Sequence, residues 1–200
     1  MLDHNEKELE EKELEEKELE EKEYSLKREI ISTVLYLLAV VALTFLFVQF
    51  VGQRTHVNGD SMNATLEDGD NLIVDKISYR FKDPERFDII VFPYQYQENT
   101  YYIKRIIGMP GETVQVKDGM IYIDGEVLEE SYGKEVMNHA GVAADPITLG
   151  EDEYFVLGDN RNNSSDSRDP SVGNIPEDQI VGKAFIRIWP LDKFGILRHQ

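Results

Sequence analysis

The chain has 200 residues and a mass of 23.1 kDa, which confines it to one modest domain or two small ones and excludes repeat arrays and large multidomain enzymes. Its 39 acidic against 21 basic side chains give a formal charge of -18, a poor match to non-specific nucleic-acid binding, which needs clustered Lys and Arg to displace counterions from phosphates. Cys is absent, so disulfide scaffolds, thiolate zinc sites and cysteine nucleophiles are excluded.

Residues 1–29 read as an acidic, low-complexity tail with a net charge of -7, in which the unit ELEEK occurs three times over 8–22. Each repeat places Glu four residues before Lys (Glu8 to Lys12, Glu13 to Lys17, Glu18 to Lys22), the favourable order for a solvated helix. Leu9, Leu14 and Leu19 recur every five residues, about 140° apart around a helix, so no apolar stripe forms and coiled-coil pairing is not expected. The tail reads first as a solvated extension, and second as an acidic docking segment.

Residues 30–51 run IISTVLYLLAVVALTFLFVQFV, 22 residues without a charge. As a helix they would extend about 33 Å, enough to cross a bilayer core of about 30 Å. The run is longer than the apolar part of a cleavable signal peptide, and VGQRTHV after it offers no small-x-small cleavage site, so an uncleaved anchor is predicted. Five basic residues (Lys12, Lys17, Lys22, Lys27, Arg28) precede the span and only Arg54 follows closely, which predicts a cytoplasmic N-terminus and an extracytoplasmic 52–200.

That last segment reads as mainly β. Runs rich in β-branched and aromatic residues at 71–76, 87–94, 100–107, 112–117, 120–124, 153–158 and 182–189 are separated by turn signals, among them Asp118-Gly119 and Asp124-Gly125. No long stretch after residue 52 keeps a 3.6-residue apolar period, which leaves an antiparallel sheet or partly closed barrel.

Several chemistries fail on spacing. The four His residues (His4, His56, His139, His199) suggest neither a zinc cluster nor a Ser-His-Asp triad. Residues 59–63, GDSMN, miss the last Gly of a hydrolase elbow, and the S-x-x-K match at Ser131 to Lys134 has no partner motif. The Asp/Asn/Ser-rich loop 159–169 has Arg161 where a calcium EF loop needs its third ligand. What remains is a Ser with a Lys base. A lysine serves as base only when neutral, which requires its pKa of about 10.4 to fall by some two to three units through burial. Strand alternation in YYIKRII puts Lys104 on one face with Tyr102 and Ile106, opposite Ile103, Arg105 and Ile107, so an apolar setting is encoded locally. A strand edge protected by Lys and Arg would look the same, and Ser61 alone reads as a turn residue.

The order of anchor, GDSMNATL (59–66), YYIKRIIGMPGE (101–112) and GDNRNNSSDSR (158–168) resembles the bacterial type I signal peptidases, in particular their short, single-anchor Gram-positive branch. The resemblance covers about residues 30–190, and a turn, a basic strand and a Ser-rich loop would not independently reproduce all three patterns in this order. It implies a mostly antiparallel catalytic core with a smaller insert at about 119–152. It also implies a Ser/Lys dyad of Ser61 as nucleophile and Lys104 as general base, with Ser164 hydrogen-bonded to the lysine amine. Asp159, Arg105, Asp166 and Arg168 would be electrostatic supports, and Met62 would shape the substrate wall. Two positions depart from the pattern: Ala64 stands where many relatives have Pro, and Gly59 where some have a Ser that assists the oxyanion hole. The oxyanion would then rely on the Ser61 backbone N–H, with Gly59 allowing close approach of the peptide.

The implied substrates are exported preproteins with small residues at -1 and -3, with the lipid bilayer and the secretion machinery as further partners; no metal or organic cofactor and no nucleic acid are expected. Trp189 and Phe194 are the candidates for an apolar surface that rests on lipid. Two other classes remain open from the residues. One is a self-cleaving repressor, which would need a DNA-binding domain not visible here; the other is a non-catalytic anchored β domain that assists surface-protein assembly.

Overall fold

The computed structural model describes residues 2–50, 52–133 and 135–197, with side chains left undescribed at 2–16, 18–21 and 48–50. It divides into two units, Met1–Val48 and Gln49–Gln200. The first is a single helix, α1 (Leu2–Phe50), so the acidic tail and the apolar run form one continuous element. Over Lys22–Phe47, 26 residues, it is long and apolar enough to cross a membrane. A Glu23–Lys27 ion pair of 2.6 Å lies on its surface. The Glu-to-Lys pairs expected within the ELEEK repeats involve side chains outside the described residues.

Among the described residues the second unit has twelve strands, all paired antiparallel. The larger sheet comprises β1 (Gly52–His56), β2 (Asn71–Asp75), β3 (Ile89–Pro93), β4 (Tyr101–Gly108), β9 (Glu153–Leu157), β10 (Ile175–Pro176), β11 (Gly182–Trp189) and β12 (Gly195–Ile196). Its order is β1-β2-β11-β3-β4-β9-β10, with β12 on β11, an open path rather than a closed ring. The smaller sheet, in the order β7-β6-β5-β8, holds β5 (Thr113–Lys117), β6 (Met120–Ile123), β7 (Glu126–Val127) and β8 (Ile147–Thr148).

All seven sequence-predicted strands are present. Both Asp-Gly pairs make the tight turns their composition requires, with φ of +52° and +76° at Asp118 and Gly119, and +52° and +86° at Asp124 and Gly125. The second sheet begins at Thr113, after the chain turns at Gly111 and leaves the large sheet. Five short or polar strands (β1, β7, β8, β10, β12) carry no apolar alternation in their sequence.

Strand β4 is buried on both faces. Ile103 joins a core cluster with Met62, Leu66, Leu72 and Val91, while Ile107 packs with Val114, Leu149 and Phe155 beneath the small sheet. Ile106 packs with Ile90, Phe92 and Val156. Burial of each such aliphatic side chain stabilises by about 1.5–3 kcal/mol relative to exposure, so the strand that carries Lys104 and Arg105 is the best-anchored in the domain. At the end of β11, Trp189 and Phe194 are 54% and 61% exposed, beside the exposed Leu191 and Ile196.

Candidate active site

The Ser61 turn follows directly from β1. Val57 is tied to Asp70 and Gly69 by backbone hydrogen bonds of 2.8 and 3.0 Å, and Leu66 N–H donates to Met62 O at 2.8 Å, closing the loop on itself. Gly59 adopts φ +91°, a left-handed conformation open to glycine at no steric cost, and its N–H donates to Asp68 Oδ1 at 2.8 Å. The Asn63–Ala64 peptide bond is cis. Met62, expected to shape the substrate wall, is buried in the core and is also among the residues that line the cleft. It therefore anchors the turn at least as much as it lines the site.

Lys104 comes from the middle of β4 and is 4% exposed. Its Nζ donates to Ser61 Oγ at 2.8 Å and to Ile103 O at 3.0 Å, and lies 4.9 Å from the Tyr102 ring centroid, as the shared strand face predicts. Burial pushes the Lys104 pKa down to about 8, against the opposing pull of the Asp166 and Asp159 carboxylates. Residues 43 positions apart in sequence are thus brought to hydrogen-bond distance, with the amine in the setting a general base needs.

The loop 158–168 supports this pair from behind. Arg105, on the face of β4 opposite Lys104, donates to both oxygens of Asp159 at 2.8 and 2.6 Å, to Phe87 O at 2.9 Å and to Thr65 Oγ1 at 3.2 Å. Thr65 Oγ1 in turn donates to Asp159 Oδ2. One buried ion pair therefore ties the dyad strand, the serine turn and the loop together. Arg168 makes a second fork onto Asp166 at 2.8 Å for both contacts, and Asp166 Oδ2 accepts from Gly158 N–H at 3.1 Å. Asn160 N–H donates to Ser61 O at 3.0 Å and its side chain to Asp60 O at 3.1 Å, fixing the turn from the loop side. A Cβ on Gly158 would stand 2.2 Å from Ser164 Oγ and 2.5 Å from Ser61 O, so only glycine lets the loop approach this closely.

Ser164 lines the same cleft as Ser61 and Lys104, yet the hydrogen bond expected between it and the lysine amine is not formed. Its Oγ is buried without a hydrogen-bond partner, packed against Gly158, while the amine is directed to Ser61 and Ile103. Sequence reasoning also left Arg161, Asn160, Thr65, Glu130 and Tyr132 without roles. The first three lie inside the motifs of residues 59–66 and 158–168, which could have flagged them; Tyr132 falls only within the unpartnered S-x-x-K match, and Glu130 carries no local signal. Among the described residues no three His, Asp or Glu side chains converge as metal ligands would.

The dyad opens onto a cleft of about 700 Å³ bounded by 55–62, 99–104 and 162–165. On this side β4 pairs with β9 only at Arg105, Ile106 and Gly108, so Tyr101 to Lys104 present a strand edge with one side unpaired among the described residues. A serine hydrogen-bonded to a buried lysine beside a free strand edge defines a class, the serine peptidases that use lysine as base.

Comparison with known proteins narrows this. Residues 27–189 match the family model described as signal peptidase, peptidase S26. The chain is 43% identical over 155 residues to a signal peptidase I from Leptolyngbya laminosa, covering 74% of each chain. It is 32% identical over 186 residues to signal peptidase IB from Staphylococcus aureus, covering 84% of this chain and 94% of that one. A crystal structure of a signal peptidase I from Enterococcus faecalis is 36% identical, with a TM-score of 0.43, over 51% of this chain and 97% of that one. The chain belongs to the signal peptidase family, peptidase S26, as a bacterial type I signal peptidase.

Proposed function

We propose that Ser61 is the nucleophile and Lys104 the general base with which this membrane-bound serine endopeptidase removes N-terminal signal peptides from exported preproteins. The observation that carries this reading is the 2.8 Å contact between Ser61 Oγ and a lysine amine buried enough to lose its proton near pH 8. In the reaction, neutral Lys104 takes the Ser61 hydroxyl proton as Oγ attacks the scissile carbonyl, and the ammonium then protonates the departing amine. Water, deprotonated by the same lysine, releases the acyl group and returns Ser61.

The Ser61 backbone N–H is engaged by no hydrogen bond among the described residues, which suits a donor to the oxyanion, and Gly59 leaves space above it. The unpaired edge of β4 fits a substrate bound as an added strand, and small side chains at -1 and -3 are the preference that the family resemblance implies. Asp159, Arg105, Asp166 and Arg168 keep the loop in place, and Ser164 completes the polar wall. The basic residues before the span favour a cytoplasmic N-terminus with the catalytic unit outside, where precursors emerge from the secretion machinery. Trp189 and Phe194 suit contact with the lipid surface.

The experiment is the pH dependence of kcat/KM on a preprotein. With a base of pKa about 8, about a tenth of the enzyme is active at pH 7 and over nine-tenths at pH 9. The rate should climb close to tenfold per unit below pH 7 and level off above 9. A profile flat from pH 6.5 to 9 contradicts a lysine base.

A further inference from the structure

The excursion that carries the small sheet also reaches the arginines behind the dyad. Glu130 accepts two hydrogen bonds from the Arg161 guanidinium, Nη1 to Oε1 at 2.7 Å and Nη2 to Oε2 at 2.9 Å, and the pair is almost wholly buried. The Tyr132 ring lies over Arg105, with 3.6 Å from the guanidinium carbon to the ring centroid, and the Phe87 ring stands 5.0 Å from it. The two residues are fixed to each other, because Tyr132 N–H donates to Glu130 Oε2 at 2.9 Å. Neither contact is made by Ser61 or Lys104, and neither residue lies in the motifs of residues 59–66, 101–112 and 158–168.

Both arginines lead to the dyad. Arg105 adjoins Lys104 on β4 and holds Asp159; Arg161 donates through Nε to Gly158 O at 3.1 Å. Between Asp159 and Arg161 stands Asn160, whose two hydrogen bonds hold the carbonyls of Asp60 and Ser61. The grip on the serine turn is therefore only as firm as the hold of Arg105 on Asp159 and of Arg161 on Gly158, on either side of Asn160. We propose that Tyr132 and Glu130 form a clamp, two positioning residues that act through Arg105 and Arg161 to hold the 158–168 loop and, through it, the Ser61 carbonyl in register with Lys104.

The ring over Arg105 excludes water from the Arg105–Asp159 pair, which makes that pair strong. Without the ring, water screens the pair and reaches the back of the site. Lys104 is faced by the Asp159 and Asp166 carboxylates, the Tyr102 ring, Ser61 Oγ and Ile103 O. Added water favours its charged form, and a less firmly held Asp159 carboxylate does the same, so both effects of a loosened clamp move the amine in one direction.

This proposal rests on the Ser61/Lys104 reading, and its test separates the two. Full-length protein in detergent, as wild type, Tyr132→Ala, Tyr132→Phe and Glu130→Gln, is assayed on a preprotein across pH, well below each variant's melting temperature. Tyr132→Ala should lower kcat about tenfold with KM changed less than about twofold, and move the acid limb of kcat/KM up by about one unit. Tyr132→Phe, which keeps the ring, should restore the wild-type limb, and Glu130→Gln should shift it in the same direction as Tyr132→Ala. A folded Tyr132→Ala with the wild-type kcat and limb overturns the clamp, as does a loss confined to melting temperature. If Tyr132→Ala does not fold, Glu130→Gln decides alone: an unmoved limb overturns the proposal. Ser61→Ala run alongside keeps the outcomes distinct, because cleavage by that variant would overturn the dyad itself.

Discussion

Replacing Lys104 with Met should abolish signal-peptide removal and at the same time make the folded domain more stable at pH 7. The activity loss follows from the loss of the only proton acceptor at 2.8 Å from Ser61 Oγ among the described residues, and removing such a base costs about 10⁴-fold or more. The stability gain follows from the amine's burial. Its pKa falls from the ordinary lysine value of 10.5 to about 8 in the fold, a difference corresponding to roughly 3 kcal/mol. Between these values the unfolded chain binds more protons than the native one, so the penalty is fully present below about pH 8 and fades as pH rises toward 10.5.

Methionine fills a similar volume without a charge. Allowing about 1 kcal/mol for each of the two lost hydrogen bonds, Lys104→Met should gain about 1 kcal/mol at pH 7 and be less stable than wild type by about 1–2 kcal/mol near pH 10.5. Urea midpoints at the two pH values measure this. A variant less stable than wild type at pH 7 would mean that the amine is not held at a desolvation cost.

The second large effect concerns the ion pair behind the dyad. Arg105 and Asp159 are 1% and 0% exposed, so Asp159→Ala leaves a guanidinium in the core with no carboxylate and should destabilise the domain by about 3–5 kcal/mol. The loop would also lose its tie to Thr65 and β4, so activity should fall with stability. Because most of the cost comes from the orphaned charge, Arg105→Leu combined with Asp159→Ala should be less destabilised than the sum of the two single variants by about 2 kcal/mol or more. Strict additivity in urea unfolding would show that the two side chains do not act as a pair.

Much of this molecule was legible in its sequence for physical reasons. Strands such as β4 and β9 announce themselves because burial on both faces demands runs of β-branched and aromatic residues, and Asp-Gly marks turns that need positive φ twice over. Strand β1 was not legible, since GQRTH is an edge whose pairing with β2 is backbone to backbone and leaves no apolar pattern. The burial of Lys104 could be anticipated from alternation along β4, but nothing local joined it to Ser61, and it took the family resemblance to bring the two together. That resemblance did not extend to the Ser164 hydroxyl, whose expected bond to the amine is absent. Glu130 and Tyr132 were invisible because their partners lie far away in sequence and a lone Glu or Tyr in a polar stretch has no period to betray it.

The central claim, that Ser61 attacks and Lys104 receives its proton, is tested most directly by cleavage of a preprotein with full-length Ser61→Ala beside wild type. The wild type should release a mature product whose new N-terminus follows a small-x-small sequence, and Ser61→Ala, which lacks only one oxygen, should release none above background while keeping the wild-type unfolding free energy in urea within about 1 kcal/mol. Product formed by folded Ser61→Ala at a rate near that of wild type would contradict the account.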